Sequence, residues 1–117
     1  MKANISLSVR EISPLTSVID IKGEINAFAE NALMDAYTLA TTGGAKNILL
    51  NFIGLDYMNS SGIGLLVTLL IRVQRQKQHL AAFGLSRHYQ QIFDLTRLNE
   101  AIQIYENEEQ AVGAFQH

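Results

Sequence analysis

The chain has 117 residues, 48% of them hydrophobic and 17% charged, with a formal net charge of −2. That length supports one hydrophobic core of ordinary size, so a single domain over residues 1–117 is expected. Mild acidity, with the nine Lys and Arg residues scattered, argues against nucleic acid or an anionic membrane as partner. With no cysteine, disulfides, thiol catalysis and cysteine-based metal sites are excluded. Met1-Lys2-Ala3-Asn4 opens no signal-peptide pattern, and the longest apolar run, Ile63 to Ile71, is about half the length that spans a bilayer. A cytoplasmic protein without membrane insertion is expected.

Ile5, Leu7 and Val9 alternate with Ser6, Ser8 and Arg10, the pattern of a half-buried strand. Ser13-Pro14-Leu15 is a turn signal, and Ser17 to Lys22 a second strand pointing Ile19 and Ile21 inward. The short connection makes these an antiparallel hairpin. Asn26 is placed to cap a helix from about Ala27 to Thr41, whose inner face carries Phe28, Ala32, Leu33, Ala36, Tyr37 and Ala40. Gly43-Gly44 stops it.

A buried strand follows from about Lys46 to Phe52, where Leu49→Ala is expected to cost about 2–5 kcal/mol. The next helix, Ile63 to about Gln76, carries Ile63, Leu66, Val67, Leu70 and Val73 on one side. Leu65, Leu69 and Ile71 widen that arc, so burial on more than one flank is expected. Arg72, Arg75 and Lys77 complement the dipole at its end. Leu80 to Gly84 reads as a short strand and Ser86 to Phe93 as a short helix burying Tyr89, Ile92 and Phe93. After a tight Asp94–Leu98 connection come an edge-like strand, Ile102 to Tyr105, and a helix to about Phe115, capped by Asn107 with Gln110. The order β-β-α-β-α-β-α-β-α predicts an α/β fold: a mixed sheet packed against about four helices, mainly on one face.

The stretch that organises the chain joins the central strand to its helix: Gly54-Leu55-Asp56-Tyr57-Met58-Asn59-Ser60-Ser61-Gly62-Ile63-Gly64. Two serines stand where a helix begins, among backbone N–H groups without intrahelical partners. The plain reading makes Ser60 or Ser61 an N-cap worth about 1 kcal/mol. The sharper reading is a functional serine in a rigid turn: Ile63 and Gly64 at the N3 positions provide no capping box, and Met58, Leu65 and Leu69 offer a partner surface. A helix start of this kind also suits a phosphate, bound or covalent.

Catalysis finds less support. His79, His88 and His117 have no partner at triad or ligand spacing, and solvated side chains account for Asp20, Glu24, Asp35 and Asp56. Gly62-Ile63-Gly64 is not a phosphate-cradling loop, and no P-loop lysine accompanies it. No metal and no cofactor is expected. A small enzyme or nucleotide-binding protein would reveal itself by tight ATP binding.

At these residues the sequence resembles the anti-sigma factor antagonists of the STAS domain family, which includes bacterial sporulation and stress-response antagonists. The resemblance runs from Ile5 to about Phe115. It rests on Gly23-Glu24-Ile25-Asn26, on Asn51 through Gly64 and on Ser86 through Leu98, the Ser-Ser-Gly-x-Gly tail being the specific part. It implies a protein with no enzymatic activity of its own, which binds a partner that is both anti-sigma factor and serine kinase. It also implies phosphorylation of the serine before the glycine, Ser61, with Ser60 the weaker candidate, and a phosphatase that resets the switch. Asn26, Asn51, Met58, Asn59, Ser60, Ser61, Gly62 and Leu65 form the expected partner-binding set.

The family usually carries Asp at the position of Asn59, and often at those of Asn26 and Asn51. An amide keeps the shape and caps a helix, but it is no base and a poor Mg²⁺ ligand. That substitution bears on the phosphorylation step more than on binding. The alternative is a non-phosphorylated protein of the same fold, acting as scaffold in a signalling assembly or as cytoplasmic partner of a transporter. Self-association as a homodimer, through a sheet edge or helix face, fits the scaffold.

Overall fold

The computed structural model describes residues 4–115; Met1 to Ala3 and His117, used above, lie outside them. Strands β1 (Ile5–Ser13) and β2 (Thr16–Ile25) form the expected antiparallel hairpin, pairing Leu7 with Ile21 and Val9 with Ile19. Parallel neighbours need long crossovers, and three helices supply them. Helix α1 (Glu30–Thr41) leads to β3 (Asn47–Met58), α2 (Ser60–Arg75) to β4 (His79–Phe83), and α3 (Arg87–Leu95) to β5 (Gln103–Tyr105). The strands therefore lie in the sheet in sequence order, β1 to β5. A mixed sheet with four helices is the architecture expected from the sequence.

The helices do not all share one face. Leu33 and Tyr37 of α1, Leu66 and Leu69 of α2 and Phe93 of α3 pack with Ile19, Ile48, Leu50 and Phe52 in the main core. Helix α4 (Glu108–Gly113) instead sets Ala111 on the opposite face, over Val18, Leu49, Ala81 and Phe83. Coverage on both faces explains why Ile48-Leu49-Leu50 is an unbroken apolar run with every residue fully buried.

Three expectations are corrected by packing. Residues 27–29 form a tight 3₁₀ turn and the α-helix begins only at Glu30. At three residues per turn the phase rotates, and Phe28 is 52% exposed instead of facing the core. Helix α2 buries one flank: Leu65, Leu66, Leu69, Leu70 and Val73 point inward, while Val67 and Ile71 are exposed. Strand β3 runs past Phe52 to Met58, because β2 continues beside it and pairs Gly23 with Leu55 and Ile25 with Met58.

On the α4 face the side chain of Arg10 bridges two acids. Its Nε lies 2.7 Å from an Asp20 oxygen and a terminal nitrogen 2.6 Å from Glu108. Asn51 adds a 2.7 Å amide donation to Asp20. Asp20 is thus not the freely solvated carboxylate expected from sequence, but the centre of a link between β1, β2, β3 and α4. Arg10 holds its carboxyl below the ordinary value, with a smaller contribution from Asn51, against the opposing effect of burial.

A folded-state pKa below the unfolded one means that the unfolded chain binds the proton first as pH falls. This contribution to stability is complete above about pH 4 and is lost as the pH drops through the lowered folded value. Asp20→Asn should therefore show a shallower fall of urea midpoint between neutral and acid pH than the wild type. Parallel profiles would remove Asp20 from the acid response.

Candidate functional site

The turn after β3 is held by backbone bonds. Asn59 N–H donates to the Ile25 carbonyl at 3.3 Å, joining the ends of β2 and β3. Asn59 is extended, and its Oδ1 accepts the Gly62 N–H at 2.9 Å while its carbonyl accepts Ile63 N–H at 3.0 Å. Asn59 is therefore the N-cap of α2, which corrects the assignment to Ser60 or Ser61. Because the strand persists through Met58, Asn59 is the first residue able to turn, and Asn caps as well as Ser.

Ser60 and Ser61 become the first two helical residues, and both are exposed. Neither hydroxyl bonds to another side chain or backbone group among the described residues, so neither is spent on the fold. Their own N–H groups precede the first intrahelical bond and have no carbonyl partner within the helix. The outward tip of α2 thus holds two free hydroxyls beside free amide donors, in the positive field of the helix end.

Asn26 follows Ile25 directly and caps the 3₁₀ turn by accepting the Phe28 N–H at 2.9 Å. It lies on the strand end that bonds Asn59. Asn51 does not join them. Its side chain is on the α4 face, accepting Ile53 N–H at 3.0 Å besides donating to Asp20. Six residues of strand lie between it and Met58, a separation of about 20 Å at normal rise. A period of two sent it to the other face, which corrects its expected place around Ser61.

Met58 and Leu65 are also displaced from their expected role. Both are buried, as is Leu69, so they support the tip from beneath and present no side chain to a partner. Gly62 is buried and clamped: a Cβ there would run into the Ile25 carbonyl oxygen and lie 2.8 Å from Met58 Cγ. Its smallness lets α2 start against β2. The exposed apolar side chains beside the strand ends are Phe28 and Tyr57.

Tyr89, read from sequence only as a core residue, has a further part: its hydroxyl accepts the Met58 N–H at 2.8 Å. This bond ties α3 to the last residue of β3, immediately before the cap. Helical spacing signalled its burial, but nothing local could have signalled that partner.

His79 and His88 are exposed and rest against Phe115 and Tyr89. No group of three or more His, Asp or Glu side chains suited to a metal occurs among the described residues. No described helix is long and apolar enough to cross a membrane. A cleft of about 510 Å³ lies at the other end of α2, between Tyr37, Lys46, Arg72 and Arg75. Arg72 sits 5.3 Å over the Tyr37 ring, and these cations face the negative end of the helix dipole.

Comparison with known proteins agrees with this architecture. An anti-sigma-B factor antagonist from Listeria monocytogenes is 26% identical over 101 residues, covering 86% of this chain and 89% of that protein. The crystal structure of an anti-sigma factor antagonist from Mycobacterium paratuberculosis matches with a TM-score of 0.82 at 17% identity, over 100% of both chains. The phosphorylated form of the Bacillus cell fate determinant SpoIIAA matches at 0.73 with 21% identity, over 95% of this chain and 100% of that one. The family model of the STAS domain matches residues 7–111. This chain belongs to the STAS domain family.

Proposed function

We propose that this protein, as one STAS domain over residues 1–117, is an anti-sigma factor antagonist in the cytoplasm with no catalytic activity of its own. It binds an anti-sigma factor that is also a serine kinase, through the tip of α2, and Ser61 is the residue modified, with Ser60 secondary. A phosphatase returns Ser61 to the binding state. The observation that carries this reading is the cap: Asn59 supplies the hydrogen bond that the helix start needs, leaving the Ser61 hydroxyl exposed and uncommitted. The curated relative from Listeria monocytogenes, named an anti-sigma-B factor antagonist, supports the partner class.

A phosphate on Ser61 adds about −1.5 to −2 charges and three acceptor oxygens to a surface otherwise made of neutral hydroxyls and amides. The free N–H groups of the first turn accept that charge, so the fold tolerates it while a partner fitted to the hydroxyl is repelled. Incubation with the cognate kinase and ATP should add one phosphate by intact mass. Ser61→Ala should abolish the shift and Ser60→Ala leave it; a shift surviving Ser61→Ala overturns the assignment.

A second reading is favoured by Asn59 itself. Its amide oxygen is occupied by Gly62 N–H, and an amide can neither act as a base nor hold a metal–nucleotide complex well. On that reading the protein works unphosphorylated, as scaffold or transporter partner. Pull-downs with wild type and Ser61→Asp separate the two: the switch loses its partner on substitution with melting temperature nearly unchanged, and the scaffold keeps it.

A further inference from the structure

We propose that the outer edge of β1 is the interface of a two-fold symmetric homodimer, in which β1 pairs antiparallel with β1 of a second copy about Leu7. β1 is the first strand of the sheet, and no described strand pairs with its outer side. The Glu24 N–H donates to the Asn4 carbonyl at 2.8 Å, which makes Asn4 and Glu24 a hydrogen-bonded pair. Such pairs alternate along an antiparallel ladder, so Ser6 with Lys22, Ser8 with Asp20 and Arg10 with Val18 are the others. The backbone N–H and C=O groups of Ile5, Leu7 and Val9 consequently point away from β2, into the open edge.

That edge is self-complementary. With the axis at Leu7, each Leu7 faces its counterpart, Ile5 faces Val9 and Val9 faces Ile5. The three facing pairs are all hydrogen-bonded ones, with two backbone bonds each. Apolar side chains then meet on the core face, while Ser6 meets Ser8 on the other. Asn4 meets Arg10, whose charge is already bound by Asp20 and Glu108. Along the two paired strands no like charges stand opposed.

Edge strands are commonly blunted by Lys, Pro or a bulge. From Ile5 to Arg10 this one has neither Lys nor Pro, and its irregularity falls between Glu11 and Ser13, beyond the paired stretch.

The core face adds a groove between β1 and α1, lined by Leu7, Val9, Ala32, Ala36 and Leu39, with the exposed Asp35 at its rim. Leu39 is 62% exposed there. Continuing the sheet across the axis brings the α1 of the second copy alongside and closes this groove, supplying the apolar contact that two strands alone lack. Helix α2 packs over β2, β3 and β4, so its tip remains open in both copies and the proposal stands apart from the function of Ser61.

Sedimentation velocity on the full chain, from about 1 to about 500 µM, should show a monomer passing into a dimer. Ser6 and Ser8 are exposed and face each other across the axis, so charge there tests the register. Ser6→Glu with Ser8→Glu opposes like charges twice, whereas Ser6→Glu with Ser8→Lys makes two attractive pairs. The first double variant should have a Kd about tenfold weaker than the second. Amide exchange at Ile5, Leu7 and Val9 should slow as concentration rises. A wild type that stays monomeric throughout overturns the proposal. So does a dimer in which the two double variants associate equally, or in which those three amides remain unprotected.

Discussion

Gly62→Ala should be severely destabilising, costing about 3 kcal/mol, although glycine to alanine normally favours a helix. The added methyl would enter the space held by the Ile25 carbonyl oxygen, with Met58 Cγ at 2.8 Å. Met58 can turn aside; the backbone of Ile25 cannot, because the same carbonyl accepts the Asn59 N–H. Helix α2 would have to lift from β2, breaking that bond and moving Ser60 and Ser61. Two residues on, the same substitution has the opposite expected sign. A Cβ at Gly64 meets nothing within 4 Å, so Gly64→Ala should gain up to about 1 kcal/mol from helix propensity alone. Thermal melts check both, with a fall of roughly 10 °C or more for Gly62→Ala. If the two variants melt alike, the close contact between α2 and Ile25 is wrong.

The second large effect separates the two faces of the sheet. Leu49 and Leu50 are neighbours and both fully buried, but Leu50 belongs to the main core and Leu49 to the layer under α4. Truncation to alanine costs about 2–5 kcal/mol, depending on how far the surroundings collapse into the cavity. Beneath Leu50, α1 and α2 are held by strands at both ends, so little relaxation is available and about 4 kcal/mol is expected. Helix α4, with six residues, can settle into the space left at Leu49, which places that variant nearer 2 kcal/mol. Urea unfolding of both variants is the measurement. Equal losses would mean that α4 is as rigid a cover as the longer helices.

Much of the fold was legible because it depends on short-range chemistry. Asn26 and Asn107 cap their helical turns, each by accepting a backbone N–H two or three residues ahead, a bond that any chain can form locally. The hairpin at Pro14-Leu15 and the inward alternation of Ile19 and Ile21 are equally local. Val67 and Ile71 were misplaced because apolar character says that a residue gains from burial, not that a partner surface exists for it, and both stand on the exposed side of α2. Phe28 was misplaced because the turn before α1 is 3₁₀, with a different phase from an α-helix.

The site divides in the same way. Asn59, Ser60, Ser61 and Gly62 could be marked as a strand-to-helix turn with a hydroxyl pair, since residue type and order alone define it. Which residue caps was settled by the length of β3, and that length by β2 pairing beside it as far as Ile25 and Met58. The same tertiary frame sent Asn51 to Asp20 and Arg10 on the far face, buried Met58 and Leu65, and brought Tyr89 to the Met58 amide.

The sequence by itself determined the element order, the caps at Asn26 and Asn107 and the serine turn, because propensity and side-chain to backbone bonds act over a few residues. Only the tertiary structure decided which serine hydroxyls are free, which asparagines keep them company and which edge of the sheet lies open. Those depend on strand register and on what packs against each face, where contacts are made by residues far apart in the chain.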